Sequence, residues 1–372
     1  MSNYVNMDHC MQLLYLAVPA YGLYAVCSSL YDTCRRGKCV VFESRRSLPC
    51  YLYLYVRYKF QAFRKIRGQL YPVGDKNVNP TFTILTCRLR EDELRWYCWA
   101  AGYGWDYPDS VFRDVPLAFC HVLCCRLLAM ITSSSNFRLC PQGLVHVRQT
   151  LRKYEPIDEL KKAPFRLQAG VTEYRPVDGG VEVDICFKAL RMEQPIWESV
   201  VTMLSPRKGP VPHDQPCAPG LDGATDMKSV TVKVPLLAGL RAAWAFCDVS
   251  LKNLLVLPSR LAIVGLTSSH GLWMLSQCFA EIEKHKAWQL ITALPFIPPT
   301  GPDAVRPPLR VSVQFGHPMV LPSRGAAIRF WAANGREDVD GREDTNVAYR
   351  FQLHDEARGI CHLIGEMLGE SG

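Results

Sequence analysis

Asp248, His270 and Gly271 are the residues of this chain whose types and spacing could do chemistry. They lie in the segment 235–277, where a largely apolar stretch separates Asp248 from the His270–Gly271 pair. Carboxylates and imidazoles are common general acids and bases. The apolar run after Gly271 predicts a helix that begins there, and the backbone N–H groups of a helix N-terminus stabilise anions. We therefore expect a site in this chain to be built around this segment.

The segment resembles the signature of the MaoC-like hydratase/dehydratase family, whose members act on acyl thioesters. That signature contains Ser-Gly-Asp-x-Asn-Pro-Ile-His, then a variable apolar stretch with an Arg, then Ala-His-Gly-Met. The positions that match it without gaps are Pro235, Gly239, Ala243, Asp248, Leu254, Arg260, Leu261, His270 and Gly271. The resemblance implies that Asp248 handles a proton and that the backbone N–H of Gly271 stabilises the thioester oxygen. His270 corresponds to a position that is usually structural in the family.

The position of the family's catalytic His holds Asn253 in this chain. An Asn side chain can orient a water molecule, but it has no proton to exchange near neutral pH. Phe246 and Cys247 stand where the family has Ser-Gly, and apolar neighbours favour a raised pKa for Asp248. The candidate site residues are Asp248, Asn253, His270 and Gly271.

Three functions follow from these residues and stay open at the level of sequence. The favoured one is binding of an acyl thioester, on CoA or a carrier protein, by a hydratase/dehydratase-type protein that Asn253 weakens or inactivates. The second is an active hydro-lyase that uses Asp248 with a non-standard partner. The third is a non-catalytic, membrane-tethered interaction protein. No metal or other cofactor is expected. The Pro-rich segment 207–229 contains three potential metal ligands, His213, Asp214 and Cys217, which are too few for a metal site.

Charge and cysteine content argue against two other classes of function. The net charge is +8, and residues 32–70 hold ten Lys/Arg and two acidic residues, so this segment carries the whole excess. The rest of the chain has no overall basic field, which argues against nucleic-acid binding. The 16 Cys residues form no CxxC pair, so they predict reduced, buried thiols rather than disulfides or zinc sites.

The N-terminal segment predicts contact with a membrane. Residues 11–31 carry no charge, and a helix of about 20 residues spans a bilayer core. Arg35, Arg36 and Lys38 follow this stretch, which by the positive-inside rule places the main body in the cytosol. The alternative is a buried or interfacial helix in a soluble intracellular protein. Residues 51–70 interleave aromatic and basic side chains, which suits either the lipid headgroup level or a solvated linker.

The predicted fold is α+β, a tandem (double) hotdog in which two antiparallel sheets each wrap on a long apolar helix. The predicted central helices are 115–132 and 271–283, and strands follow both in a similar order, as an internal duplication leaves. The resemblance implies that the two halves pair edge to edge as a pseudo-dimer within the chain. It extends to His146, on a predicted strand, where the position looks structural.

The predicted organisation has four parts. Residues 1–70 form an N-terminal hydrophobic helix with a basic juxtamembrane segment. Residues 71–206 form the first hotdog-like domain, and residues 207–229, rich in Pro and Gly, form a linker. Residues 230–372 form the second, MaoC-like hotdog domain.

Overall fold

The computed structural model describes residues 40–72, 79–103, 107, 114–207, 227–234, 266–292, 308–317, 323–333, 348–356 and 358–369. Within these ranges the helices are α1 (Tyr51–Arg64), α2 (Glu91–Ala101), α3 (Phe119–Ser133), α4 (Glu159–Lys162) and α5 (Leu266–Thr292), with a 3-10 turn at Arg45–Ser47. The strands are β1 (Val41–Ser44), β2 (Thr81–Cys87), β3 (Val145–Lys153), β4 (Phe165–Val177), β5 (Gly180–Arg191), β6 (Gln194–Pro206), β7 (Lys228–Val234), β8 (Leu309–Phe315), β9 (Ser323–Ala333), β10 (Ala348–Asp355) and β11 (Ile360–Gly369).

The described strands form one 11-stranded sheet in the order β1-β2-β4-β5-β6-β3-β8-β11-β10-β9-β7. Strands β2 to β6 form one half of the sheet, and strands β7 to β11 form the other with the same arrangement. In each half the first strand in chain order, β2 or β7, lies farthest from the other half, and the second strand, β3 or β8, lies next to the other half. The long helix of each half, α3 or α5, connects the first strand to the second. Strand β1 adds a parallel pair with β2, whereas the other pairs are antiparallel. The element order that the sequence predicts for both halves is therefore present.

The two halves meet at a seam formed by β3 and β8. These strands pair antiparallel from Arg148, opposite Gln314, to Lys153, opposite Leu309. An edge strand leaves a row of N–H and C=O groups unpaired, and pairing the two inner edges satisfies both rows. The sheets of the two halves are therefore continuous across the seam, as an edge-to-edge pairing requires.

Helix α3 is the core of the first half, because almost every residue on it is buried. The exception is Arg126, which projects toward the N-terminal segment. Its guanidinium donates hydrogen bonds to the carbonyls of Leu48 and Pro49, at 3.2 and 3.0 Å, and lies 5.2 Å from the centre of the Tyr51 ring. The helix begins at Phe119, four residues later than predicted, since the preceding residues form a turn.

Helix α5 is the core of the second half and is longer than predicted, running from Leu266 rather than Gly271. Residues 271–280 are buried without a break, so this part of the helix is enclosed on all sides. Phe279 packs edge-to-face on Phe351 of β10, with ring centroids 5.9 Å apart. Gly365 lies opposite Phe351 in β11, and a Cβ at that position would stand 2.2 Å from the Phe351 ring.

The described part of the N-terminal segment is built onto the first half. Strand β1 pairs with β2, and the inner face of α1 packs on α3. The segment 40–70 is thus packed onto the first half. Among the described residues no helix has the length and apolar character needed to cross a membrane. The predicted helix at 11–31, and the linker apart from residues 207 and 227–229, lie outside the described residues.

Candidate functional site

The structure describes the predicted site residues only in part. Asp248 and Asn253 lie outside the described residues, so their geometry relative to the other residues stays a prediction. The backbone of His270 belongs to α5, whereas its side chain lies outside the described part of the chain. Gly271 is described and buried, and its surroundings show where this part of α5 lies.

Gly271 lies against the seam between the two halves. A Cβ built on it would stand 3.0 Å from Nδ1 of His146 and 3.3 Å from Cε1 of Phe315. His146 is on β3 and Phe315 ends β8, so Gly271 contacts a strand from each half. A side chain at this position would press against both rings. Glycine has no Cβ, so it permits the helix backbone to approach the two rings closely.

The start of α5 affects the role expected for Gly271. The N–H groups of the first helical residues have no carbonyl partner within a helix, and in α5 these residues are 266–268. The N–H of Gly271 lies in the second turn, where a helical N–H normally bonds to the carbonyl four residues earlier. The geometry therefore favours the first-turn N–H groups as anion donors, and an oxyanion role for Gly271 stays a prediction.

His146 is the residue at the seam that sequence reasoning left without a chemical role. Its ring stacks on Phe315 with the centroids 4.1 Å apart and the planes inclined by 33°. Burial, together with the nearby His121, lowers the pKa of His146 to about 3. A hydrogen bond with the Arg148 backbone raises this pKa, but by less. Its Nε2 is buried and has no hydrogen-bond partner among the described residues. The seam therefore holds a neutral imidazole with one unused nitrogen.

Two further buried polar side chains of the first half have unused atoms. His121 of α3 packs edge-to-face on Phe187 at 5.0 Å, and burial lowers its pKa to about 4. Gln149 of β3 donates from Nε2 to Oγ of Ser199 at 3.0 Å. Neither His121 Nδ1 nor Gln149 Oε1 has a partner within the described ranges. Buried polar atoms are usually paired, so these positions mark polar points in an otherwise apolar interior.

The position of α5 against the first half is fixed by hydrogen bonds between α5 and α2. Tyr97 donates its hydroxyl to Oγ of Ser276 at 2.9 Å. The indole of Trp273 and the amide of Gln277 both donate to the carbonyl of Ala100, at 3.0 and 3.3 Å. The helix that carries His270 and Gly271 is therefore held by the first half and by its own sheet. No group of three or more metal-ligating side chains occurs among the described residues.

Comparison with known proteins shows the fold. No protein-family model matches the chain, and no curated protein matches its sequence. A solved MaoC-like dehydratase superposes with a TM-score of 0.53 at 13% identity, covering 80% of this chain and 99% of that one. HtdX of Mycobacterium tuberculosis superposes with a TM-score of 0.50 at 17% identity, covering 78% of this chain and 100% of that one. The chain therefore has the hotdog fold that these dehydratases share.

Proposed function

We propose that this chain binds acyl thioesters, carried by CoA or an acyl-carrier protein, in the manner of enoyl-thioester hydratases and 3-hydroxyacyl-thioester dehydratases. The likeness of fold to MaoC-like dehydratases supports this class of ligand, although a fold by itself does not set a function. The chain is a tandem hotdog in this proposal, with its two halves acting as an internal pseudo-dimer. The repeated strand order and the β3–β8 seam support that description.

The observation that carries the proposal is the contact of Gly271 with His146 and Phe315. It brings the helix that ends the Asp248–Gly271 signature to the seam between the halves. In the proposed site, Asp248 acts as the base, Asn253 orients a water molecule, and the start of α5 stabilises negative charge on the thioester oxygen. His270 supports this helix start.

We further propose that the hydratase activity is weakened or lost. Addition of water to an enoyl thioester needs an acid/base pair, and Asn253 cannot exchange a proton near neutral pH. His146 is a poor substitute, because an imidazole with a pKa of about 3 holds a proton only in strong acid. Loss of one acid/base partner typically removes a factor of about 10²–10⁴ in rate.

A second candidate is an active hydro-lyase in which Asp248 works with another partner. The observation that favours it is the apolar pair Phe246–Cys247 next to Asp248, which would raise the pKa of this carboxyl toward the range of a general base. In that case Asp248→Asn abolishes turnover while ligand binding persists.

The test of the proposal is equilibrium binding of trans-2-enoyl-CoA esters of several chain lengths to the full chain. We expect saturable binding that free CoA does not reproduce, both in the unaltered protein and in Asp248→Asn. The same esters on an acyl-carrier protein test the other carrier. Absence of binding for every chain length on both carriers contradicts the proposal and leaves the non-catalytic, membrane-tethered interaction protein as the remaining reading.

A further inference from the structure

Helix α1 exposes an apolar stripe on the face opposite the one that it buries. Its buried residues are Tyr51, Leu54, Tyr58 and Gln61. Its exposed apolar residues, the outer stripe, are Leu52, Val56, Phe60 and Phe63, which are 49%, 59%, 55% and 91% exposed. At about 100° per residue, the stripe falls within an arc of about 80° on the far side of the buried face. Single exposed apolar residues are ordinary on protein surfaces, but an aligned row is not.

The outer stripe is presented by a helix that is firmly held. Tyr58 donates its hydroxyl to the carbonyl of Pro141 at 3.2 Å, and Lys65 donates to the carbonyl of Phe137 just past the helix. Beyond the helix, the N–H of Gly68 donates to Oγ of Ser205 at 3.0 Å. The exposure of the stripe is therefore a feature of the packed first half.

Basic side chains flank the outer stripe on both sides. On the helical projection Lys59 lies at one margin of the stripe, and Arg57 and Arg64 lie at the other. No acidic residue occurs anywhere between positions 45 and 74, whereas seven Lys or Arg do. The guanidinium of Arg64 lies 5.3 Å from the Phe60 ring centre, so charge and aromatic surface are combined along one face.

We propose that the outer stripe of α1 docks on the surface of an anionic phospholipid bilayer. An apolar row with cationic margins matches a surface whose acyl boundary takes up apolar side chains and whose phosphates attract Lys and Arg. The helix is about 21 Å long and lies flat on such a surface, with its buried face still packed on α3. The first half of the protein is then held directly against the membrane.

Hydroxyl-radical footprinting of the full chain with phospholipid vesicles tests this proposal. The vesicles contain phosphatidylcholine alone or phosphatidylcholine with phosphatidylserine, and oxidation is read at Phe60 and Phe63. Met192, 88% exposed in the turn between β5 and β6, is the internal control. We expect oxidation of both Phe residues to fall severalfold with the anionic vesicles and to recover with added salt, while Met192 oxidation stays constant.

Matched variants separate the stripe from the uncharged segment 11–31, which could bind vesicles by itself. Phe63→Glu and Met192→Glu each replace one exposed apolar side chain with a carboxylate. We expect Phe63→Glu to restore oxidation at Phe60, and to weaken partitioning by roughly tenfold where the stripe dominates binding. Met192→Glu should leave both readouts unchanged.

Three results overturn the proposal. The first is unchanged oxidation of Phe60 and Phe63 while the protein floats with anionic vesicles. The second is equal protection in Phe63→Glu and Met192→Glu. The third is protection of the stripe in the absence of vesicles, which would show that another part of the chain or a second copy covers it.

Discussion

Gly271 of α5 and His146 of β3 touch across the seam, and a Cβ at Gly271 would stand 3.0 Å from the His146 Nδ1 atom. The His146 ring is buried and stacks on Phe315, with the ring centroids 4.1 Å apart. The contact links a helix of the second half to a strand of the first half. It also explains why a glycine, which costs about 1 kcal/mol in helix stability, stands inside a long helix.

The Gly271–His146 contact predicts opposite effects of one substitution in two backgrounds. In the unaltered chain, we expect Gly271→Ala to destabilise the fold by about 1 kcal/mol, because overpacking against His146 outweighs the gain in helix propensity. In a His146→Ala background, we expect the same substitution to be neutral or stabilising. The two values come from urea unfolding, and an equal effect in both backgrounds would contradict the contact.

The two buried histidines predict a loss of stability in mild acid. Burial lowers the pKa values of His121 and His146 to about 4 and about 3, from the ordinary 6.5. Between these values and 6.5 the unfolded chain binds more protons, so the free energy of unfolding rises with pH. The fold therefore has its full stability above about pH 6.5, and it loses the contribution of the two neutral histidines as the pH falls toward 4 and below.

Substitution of either histidine checks this pH dependence. Across the window, His121→Gln and His146→Gln should each reduce the slope by up to one proton, or about 1.4 kcal/mol per pH unit. The measurement is the free energy of urea unfolding at several pH values. An unchanged slope in both variants would show that these histidines do not stay neutral in the fold.

An ion pair between Lys153 and Asp114 lies just before α3, and we expect removal of Asp114 to lower the stability of the fold strongly. Lys153 is 3% exposed and its Nζ lies 2.8 Å from Oδ2 of Asp114. The carboxylate of Asp114 also accepts hydrogen bonds from the N–H groups of Val115, Ile157 and Asp158, at 2.8, 2.9 and 2.7 Å. Asp114→Ala should cost about 3 kcal/mol in chemical denaturation, because it leaves these donors without their acceptor.

Two control variants make this result specific. Lys153→Met should cost less than Asp114→Ala, since the carboxylate keeps its backbone donors and an apolar chain replaces the ammonium. Glu173→Ala removes an exposed carboxylate from Arg175 and should change stability by less than about 0.5 kcal/mol. Equal losses in Asp114→Ala and Glu173→Ala would contradict the role of the buried pair.

Truncation before residue 71 should damage the first half. It removes β1 from the edge of β2 and uncovers the surface of α3 on which Tyr51, Leu54 and Tyr58 pack. At about 1.5–3 kcal/mol for each buried side chain, the loss approaches the total stability of a typical domain. We expect residues 71–372 to melt at a much lower temperature than residues 40–372. Equal melting temperatures would show that β1 and α1 are dispensable.

The sequence predicts the central elements well where burial is periodic or continuous. Strand β8 has the predicted bounds, Leu309–Phe315, because its buried residues Leu309, Val311 and Val313 alternate with residues that are only half-buried. The apolar runs also locate α3 and α5 correctly. The start of α5 differs from prediction because Thr267, Ser268 and Ser269 interrupt the apolar run, whereas the helix begins at Leu266.

The site and the N-terminal segment were harder to predict. The contact of His146 with Gly271 joins residues 125 positions apart, so no local pattern reveals it. For the segment that holds α1, the sequence predicts a solvated or membrane-level stretch, because aromatic and basic side chains interleave over residues 51–70. Its buried positions, Tyr51, Leu54 and Tyr58, follow a helical spacing that indicates packing on one face.

We propose that Asn253 stands where the acid/base partner of Asp248 is needed. The most direct measurement is the hydration rate of trans-2-enoyl-CoA esters by the full chain and by Asn253→His, followed by absorbance. We predict little or no turnover in the unaltered protein and an increase of about 10²–10⁴ in Asn253→His, lost again when Asp248→Asn is added. Efficient turnover by the unaltered chain, or none in either protein together with no thioester binding, would contradict the account.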